Sequence, residues 1–103
     1  MIIYNVTVLI KKDVEDSWLK WMKEVHIPDV MKTGYFLDWK LRKLLLLDVS
    51  SEESTYVIEY SLQSLEKYNE YSENAAPQLR KEHTEKFYGK FKATRTVYQL
   101  DPQ

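Results

Sequence analysis

The sequence predicts an α+β fold in which four antiparallel strands form one sheet and the helices cover one of its faces. Three observations predict it. Apolar residues alternate with a period of two near the start, in the middle and near the end of the chain, as in strands. Two stretches between them carry apolar stripes at helical spacing. The two glycines, Gly34 and Gly89, each follow a predicted helix and precede a predicted strand. The predicted element order is therefore βαββαβ.

The first strand and first helix are predicted from residues 2–34. Ile2 to Ile10 alternates, with one face formed by Ile2, Tyr4, Val6, Val8 and Ile10 and the other by Ile3, Asn5, Thr7 and Leu9. Asp13 is the expected N-cap of a helix whose apolar stripe consists of Val14, Trp18, Trp21, Met22 and Val25. Because Pro28 lacks an N–H and restricts the residue before it, this helix should stop or kink there, before a last turn that Gly34 ends.

The middle of the chain predicts a hairpin. "YFLDWKLRKLLLLDV" (35–49) indicates a long second strand, "DVSSEES" (48–54) a polar turn, and "TYVIEYSL" (55–62) a third strand. The aromatic and leucine positions in these strands are too many for helices on one side to cover. We therefore expect a second copy of the chain to cover the other face of the sheet, which predicts a homodimer.

The last third predicts an interrupted helix and a fourth strand. Ser64 can cap a helix, whose stripe continues through Leu65, Tyr68, Ser72, Ala75, Leu79, His83 and Phe87. Pro77 interrupts this stripe, so one helix should end near Asn74 and another should start at about Pro77 and end at Gly89. "KFKATRTVYQL" (90–100) is then the fourth strand.

The composition is that of an ordinary globular domain. The chain has 103 residues, of which 44% are hydrophobic and 30% charged, so a single domain spanning residues 1–103 is expected. A net charge of −1 gives no overall attraction for nucleic acid or an anionic membrane, and neither is an expected partner. The absence of cysteine and of an apolar leader or spanning segment favours a cytoplasmic location.

Three segments carry a family resemblance: "WLKWMKEVHIPDVMKTGYF", "STYVIEY" and "NAAPQLRKEHTEKFYGKFKATRTVY". Together they resemble a small uncharacterised bacterial family, domain of unknown function 4286, within the dimeric α+β barrel superfamily. The resemblance implies a ferredoxin-like protomer whose sheet packs on that of a partner, as in antibiotic-biosynthesis monooxygenases and stress-responsive barrel proteins. Haem-degrading members of that superfamily carry an asparagine on the first strand, a tryptophan on the third and a histidine on the second long helix. Asn5 and His83 match two of these positions, and the third strand here has no tryptophan.

Five residues are candidates for a site. His26 and His83 are the candidate catalytic residues, because imidazole transfers protons near neutral pH. Each has a structural alternative: His26 can end a helix, and His83 can be a core histidine with a satisfied hydrogen bond. Asn5, Tyr60 and Arg95 are the candidate ligand-binding residues. A buried arginine needs a partner, so Arg95 is expected to meet either a carboxylate, such as that of Glu59 or Asp38, or an anionic ligand.

Two further signals are missing from the sequence. Two distant histidines do not make a metal site, so no metal is expected. No other cofactor is expected either. There is also no phosphate-binding loop, dinucleotide motif or catalytic triad spacing. Most hydrolases and nucleotide-dependent enzymes are therefore disfavoured.

Three functional hypotheses follow. The first is a homodimer that binds a small, partly aromatic molecule in a cavity between the two sheets, with cofactor-free monooxygenase-like chemistry. The second is a non-catalytic interaction dimer with a filled interior, which a cavity smaller than roughly 300 Å³ would favour. The third, ranked last, is RNA binding, since "TYVIEYSL" lacks the RNA-binding signature of such sheets.

Overall fold

The computed structural model describes residues 1–45 and 52–102 and has the predicted βαββαβ order. Its strands form one antiparallel sheet in the order β2-β3-β1-β4. The elements are β1 (Ile2–Lys11), α1 (Glu15–Trp21), α2 (Ile27–Lys32), β2 (Asp38–Lys43), β3 (Glu53–Leu62), α3 (Leu65–Asn74), α4 (Ala76–Lys86) and β4 (Phe91–Gln99). The predicted α+β class is confirmed. No helix in the described ranges is long and apolar enough to cross a bilayer.

The first helical region differs from the prediction at its start and just before Pro28. A 3₁₀ turn (Lys12–Val14) precedes α1, so Asp13 does not cap the helix and instead contacts Lys90 at 2.7 Å. The predicted N-cap is therefore wrong. Pro28 does not stop the helix, because a π-helical turn (Met22–His26) joins α1 to α2. This wider turn changes the hydrogen-bond spacing just before the proline, whose missing N–H would otherwise break the ladder.

The second helical region follows the prediction closely. The Ser64 hydroxyl accepts a hydrogen bond from the Lys67 N–H at 3.2 Å, which caps α3. The helix is interrupted at Ala75, and α4 begins with Pro77 in its first turn, where a missing N–H costs little. Gly34 and Gly89 have φ values of +83° and +72°, which only glycine adopts without strain.

The second strand is shorter than predicted. It comprises Asp38–Lys43, and Tyr35 and Phe36 precede it. Phe36 is buried, and its ring lies 4.7 Å from that of Tyr71 and 5.0 Å from that of Tyr60. The end of the predicted strand and most of the predicted turn (residues 46–51) lie outside the described residues.

The register of the sheet decides which side chains face the helices. Tyr4 of β1 lies opposite Tyr60 of β3 and Val97 of β4, and this row of side chains faces the helices. Tyr56, Ile58 and Tyr60 are also on this face and are buried beneath the helices. These residues therefore do not require a second copy of the chain to cover them, which corrects part of the argument for a dimer.

The opposite side of the sheet, which we call the open face, is mixed in character. Its apolar side chains include Ile3, Leu9, Val57 and Tyr98. They alternate with charged side chains, including Asp38, Lys40, Arg42, Glu59 and Lys92. Glu59 pairs with Arg42 at 3.1 Å within the sheet. The open face is therefore suited to a polar contact as well as to an apolar one.

Glu15 holds the first helix to the sheet. Its carboxylate accepts hydrogen bonds from the hydroxyls of Ser54 (2.7 Å) and Tyr56 (2.6 Å), and the Lys43 ammonium lies 3.0 Å away. Burial alone would raise the pKa of Glu15, but the hydrogen bonds from Tyr56, Ser54 and Lys43 outweigh it and lower the pKa to about 2.

Candidate ligand site between the helices and the sheet

Four of the five candidate residues line one buried cavity, the inner cavity, between the helices and the sheet. Its volume is about 20 Å³. His26, Tyr60, His83 and Arg95 line it, together with Tyr71 and Arg80. The cavity thus belongs to a single protomer. These four residues do not line the expected space between two sheets, because Tyr60 and Arg95 lie on the helix-facing side of the sheet and His26 and His83 lie on the helical segments that cover it.

Asn5 does not join the inner cavity. It lies on the open face, opposite Glu59 on one side and Thr96 on the other. Its side-chain oxygen is buried and has no hydrogen-bond partner within the described residues. Asn5 and His83 are consequently on opposite sides of the sheet, so the structure does not assemble the asparagine and histidine pair of haem-degrading proteins.

His26 is the last residue of the π-helical turn. Its ring stacks on Trp21 at 5.1 Å and lies 5.2 Å from the ring of His83. Its Nδ1 atom is buried and has no hydrogen-bond partner among the described residues. π-Helical turns inside α-helices are frequent at functional sites, and this one brings an unsatisfied imidazole to a cavity wall.

His83 is held in place from three sides. The Trp18 indole N–H donates a hydrogen bond to its Nε2 atom at 2.9 Å, and Phe91 stacks on its ring at 4.0 Å. Trp21 stacks on it at 5.6 Å. Because Nε2 accepts this bond, the neutral ring carries its proton on Nδ1. His83 is therefore a rigid, neutral group at the base of the cavity.

Both histidines are difficult to protonate. Burial lowers the pKa of His26 to about 4, although Asp29 and Glu82 act in the opposite direction. Burial, with the nearby His26 and Arg95, lowers the pKa of His83 to about 3. A general base works best when its pKa is near the operating pH. In this closed cavity, the two imidazoles are better hydrogen-bonding groups than bases.

The remaining wall combines phenols and guanidinium groups. Tyr60 is 2% exposed, and burial raises its pKa and that of Tyr71, so both phenols stay protonated. Arg80 donates a hydrogen bond from Nη2 to the Tyr4 hydroxyl at 3.2 Å, while its buried Nε has no partner in the described ranges. The wall therefore offers hydrogen-bond donors from both the phenols and the guanidinium groups.

Sequence reasoning missed Arg80 and the tryptophans that surround the histidines. Arg80 precedes His83 by three residues, a spacing that places two side chains on one helix face. That signal was present in the sequence. The bond between Trp18 and His83 spans 65 positions and had no local signal.

A larger space lies beyond Trp21. This surface depression, the outer groove, has a volume of about 680 Å³ and is bordered by Trp21, Val25, Phe87 and Tyr88, among others. Because Trp21 stacks on both His26 and His83, its ring separates the outer groove from the inner cavity.

Within residues 1–45 and 52–102, no cluster of three or more histidine, aspartate or glutamate side chains is placed to hold a metal ion.

Comparison with known proteins gives a family and a fold. The profile of a family described as domain of unknown function (DUF4286) matches residues 1–100. No curated protein sequence matches the chain.

Solved structures share the fold at low sequence identity. A dimeric ferredoxin-like protein from an uncultured marine organism is similar at a TM-score of 0.72 and 16% identity, covering 100% of this chain and 97% of that one. An antibiotic biosynthesis monooxygenase is similar at 0.65 and 11%, covering 99% and 100%. A mutant of SnoaB from Streptomyces nogalater, a cofactor-independent oxygenase, is similar at 0.63 and 8%, covering 99% and 95%. These identities establish a ferredoxin-like fold and leave the chemistry open.

Proposed function

We propose that this chain, which belongs to the family described as domain of unknown function DUF4286, binds a small, partly aromatic organic molecule in its inner cavity. The observation that carries the proposal is the convergence of His26, Tyr60, His83 and Arg95 on that cavity. Two further atoms there, His26 Nδ1 and Arg80 Nε, are buried without a hydrogen-bond partner in the described residues. Burying a polar atom without a partner costs about 1–3 kcal/mol, so a ligand that supplies the missing bonds gains affinity.

The size of the cavity determines how a ligand would enter. A volume of about 20 Å³ holds a water-sized group, whereas ordinary ligand pockets begin at roughly 300 Å³. We propose that the polar group of the ligand occupies the inner cavity and that its aromatic body displaces the Trp21 ring towards the outer groove. The outer groove has the volume for this, at about 680 Å³.

Native mass spectrometry of the purified protein tests the proposal. The wild-type protein should carry a small-molecule adduct, and His26→Leu should lose most of it because the variant cannot hydrogen-bond the ligand. Tyr98→Phe, an exposed change on the open face, is the control and should keep the adduct. An adduct of equal occupancy in His26→Leu would remove His26 from the site.

Proton transfer by His26 or His83 is a second candidate activity that needs no cofactor, and SnoaB, which shares the fold, is named a cofactor-independent oxygenase. It is favoured by the placement of two imidazoles 5.2 Å apart on one cavity wall. If the adduct is a substrate, His26→Gln should bind it and fail to convert it. Unchanged conversion by both His26→Gln and His83→Gln would exclude this role.

A filled, non-catalytic interior is the competing function, and the small volume of the inner cavity favours it. On this hypothesis, the protein acts through its surface and takes up no small molecule. An empty wild-type protein that also fails to bind added aromatic compounds would support this hypothesis over ligand binding.

We also propose that two copies of the chain pair through their open faces. The fold is shared with a dimeric ferredoxin-like protein, and the buried Asn5 oxygen on this face lacks a partner within the described residues. Light scattering should give twice the chain mass of 12.4 kDa. Val57→Arg, near the middle of the open face, should give a folded monomer, whereas Tyr88→Arg on the outer groove should remain dimeric. A dimer in Val57→Arg would refute this interface.

A further inference from the structure

We infer that the ligand of the inner cavity carries an anionic group, such as a carboxylate, which Arg80 and Arg95 bind together. This inference rests on the proposed ligand-binding function and narrows the chemical class of the ligand. The observation behind it is the presence of two guanidinium groups on the wall of one small cavity that, within the described residues, has no carboxylate on its wall.

Arg95 is the first of the two groups. It lies on the helix-facing side of β4, opposite Val6 of β1, and it lines the inner cavity. Within residues 1–45 and 52–102, it forms no hydrogen bond or ion pair. Glu59, one of its predicted partners, pairs instead with Arg42 on the other side of the sheet. Arg95 is half-buried, and its guanidinium, which stays charged in proteins, has no direct partner of opposite charge among the described residues.

Arg80 supplies the second group from the opposite wall. It donates a hydrogen bond from Nη2 to the Tyr4 hydroxyl at 3.2 Å, and the Tyr68 hydroxyl is a second hydrogen-bond partner, so both of these partners are phenols. Its Nε atom is buried and unpaired, and no carboxylate lies within ion-pair distance of it among the described residues. A guanidinium fork recognises a planar carboxylate through parallel N–H donors, and Nε–H is one of these donors.

The rest of the wall does not cancel this charge. In the part of the chain that the structure describes, no aspartate or glutamate lines the cavity, and the two histidines there are neutral. Asp29 and Glu82 act on His26 from outside the cavity, and Glu82 is already hydrogen-bonded by Gln78 at the surface. The lining phenols of Tyr60 and Tyr71 are protonated and can donate to an anion. The cavity therefore favours an anionic group over a neutral group of the same shape.

Two matched pairs of probes test this inference on the full chain. Formate and formamide have nearly the same shape and differ in charge, and they are small enough to need little opening of the cavity. 2-Naphthoate and 2-naphthamide add an aromatic body to the same two groups. Calorimetry measures the naphthyl probes, and NMR shifts of the arginine Nε–H groups report formate. Arg95→Gln and Arg80→Gln are the test variants, and Arg42→Gln, on the open face, is the control.

The expected result is that 2-naphthoate binds at least about tenfold more tightly than 2-naphthamide, since a charge-assisted hydrogen bond is roughly twice as strong as a neutral one. Arg95→Gln should remove that preference, Arg80→Gln should reduce it, and Arg42→Gln should keep it. Formate, and not formamide, should shift the Arg80 and Arg95 signals.

The other outcomes separate the two proposals. Equal affinity for 2-naphthoate and 2-naphthamide would overturn the anionic class and leave ligand binding standing. Formate binding without naphthyl binding would support the anion site and overturn the aromatic ligand. Failure of all four probes to bind would overturn both.

Discussion

The buried histidine pair should make the protein acid-sensitive at a mild pH. A group that is harder to protonate in the folded state than in the unfolded state lowers stability as the pH falls below its unfolded pKa. His26 and His83 have folded pKa values of about 4 and about 3, against a usual value of 6.5. The loss therefore begins near pH 6.5, and the full stability is present only above it.

The size of the loss between pH 7 and pH 5 does not depend on the folded pKa values, provided that both lie below 5. Over the 1.5 pH units below 6.5, each histidine that stays neutral costs about 2 kcal/mol, at 1.36 kcal/mol per unit. The pair should therefore cost about 4 kcal/mol. Carboxylates contribute little here, because Glu15 changes stability mainly below its usual pKa of 4.5.

Urea denaturation at pH 7 and pH 5 measures this loss. The wild-type protein should lose about 4 kcal/mol of unfolding free energy between the two pH values, and His26→Gln and His83→Gln should each lose about 2 kcal/mol. The readout is the difference between the two pH values, so any cost of the substitution itself at pH 7 cancels. The same pH dependence in the double variant as in the wild type would refute the burial of these rings.

Three further predictions concern contacts that hold the site in place. Glu15→Gln should lower the free energy of unfolding at pH 7 by about 1–2 kcal/mol, after allowance for solvent screening of Lys43. Because the folded pKa of Glu15 is depressed, denaturant titrations should show this difference disappearing as the pH falls from 4.5 to about 2. The control is Glu85→Gln at an exposed position, whose free energy of unfolding should stay within about 0.5 kcal/mol of the wild-type value at every pH. Trp18→Phe should lower the free energy of unfolding by about 1–3 kcal/mol, because it leaves His83 Nε2 buried without its hydrogen-bond donor. Trp39→Phe, at an exposed position, should leave the free energy of unfolding nearly unchanged in the same assay. Gly34→Ala should cost about 1–2 kcal/mol in thermal unfolding through its φ of +83° alone, since nothing lies within 4 Å of the added Cβ, and an unchanged Tm would contradict that conformation.

Local patterns were sufficient to predict most of the fold. The break near Pro77, the Ser64 cap and the two glycines at helix ends all depend on residues within a few positions of one another, which is why they could be predicted. The π-helical turn before Pro28 could not be predicted, because a proline can end, kink or widen a helix. The wider turn is compatible with the packing of His26 against Trp21 and His83, and His83 is distant in the sequence.

The candidate site shows the same division. The sequence by itself determined the order of the elements and which residues share a face, since side-chain direction follows from strand and helix periods. It did not determine which face of the sheet the helices cover, so the sequence alone predicts one site for Asn5 and for four residues that lie on the other side of the sheet. Only the tertiary structure brought Arg80 and Arg95 to one cavity and Trp18 to His83, because such contacts depend on strand register and helix packing between distant parts of the chain.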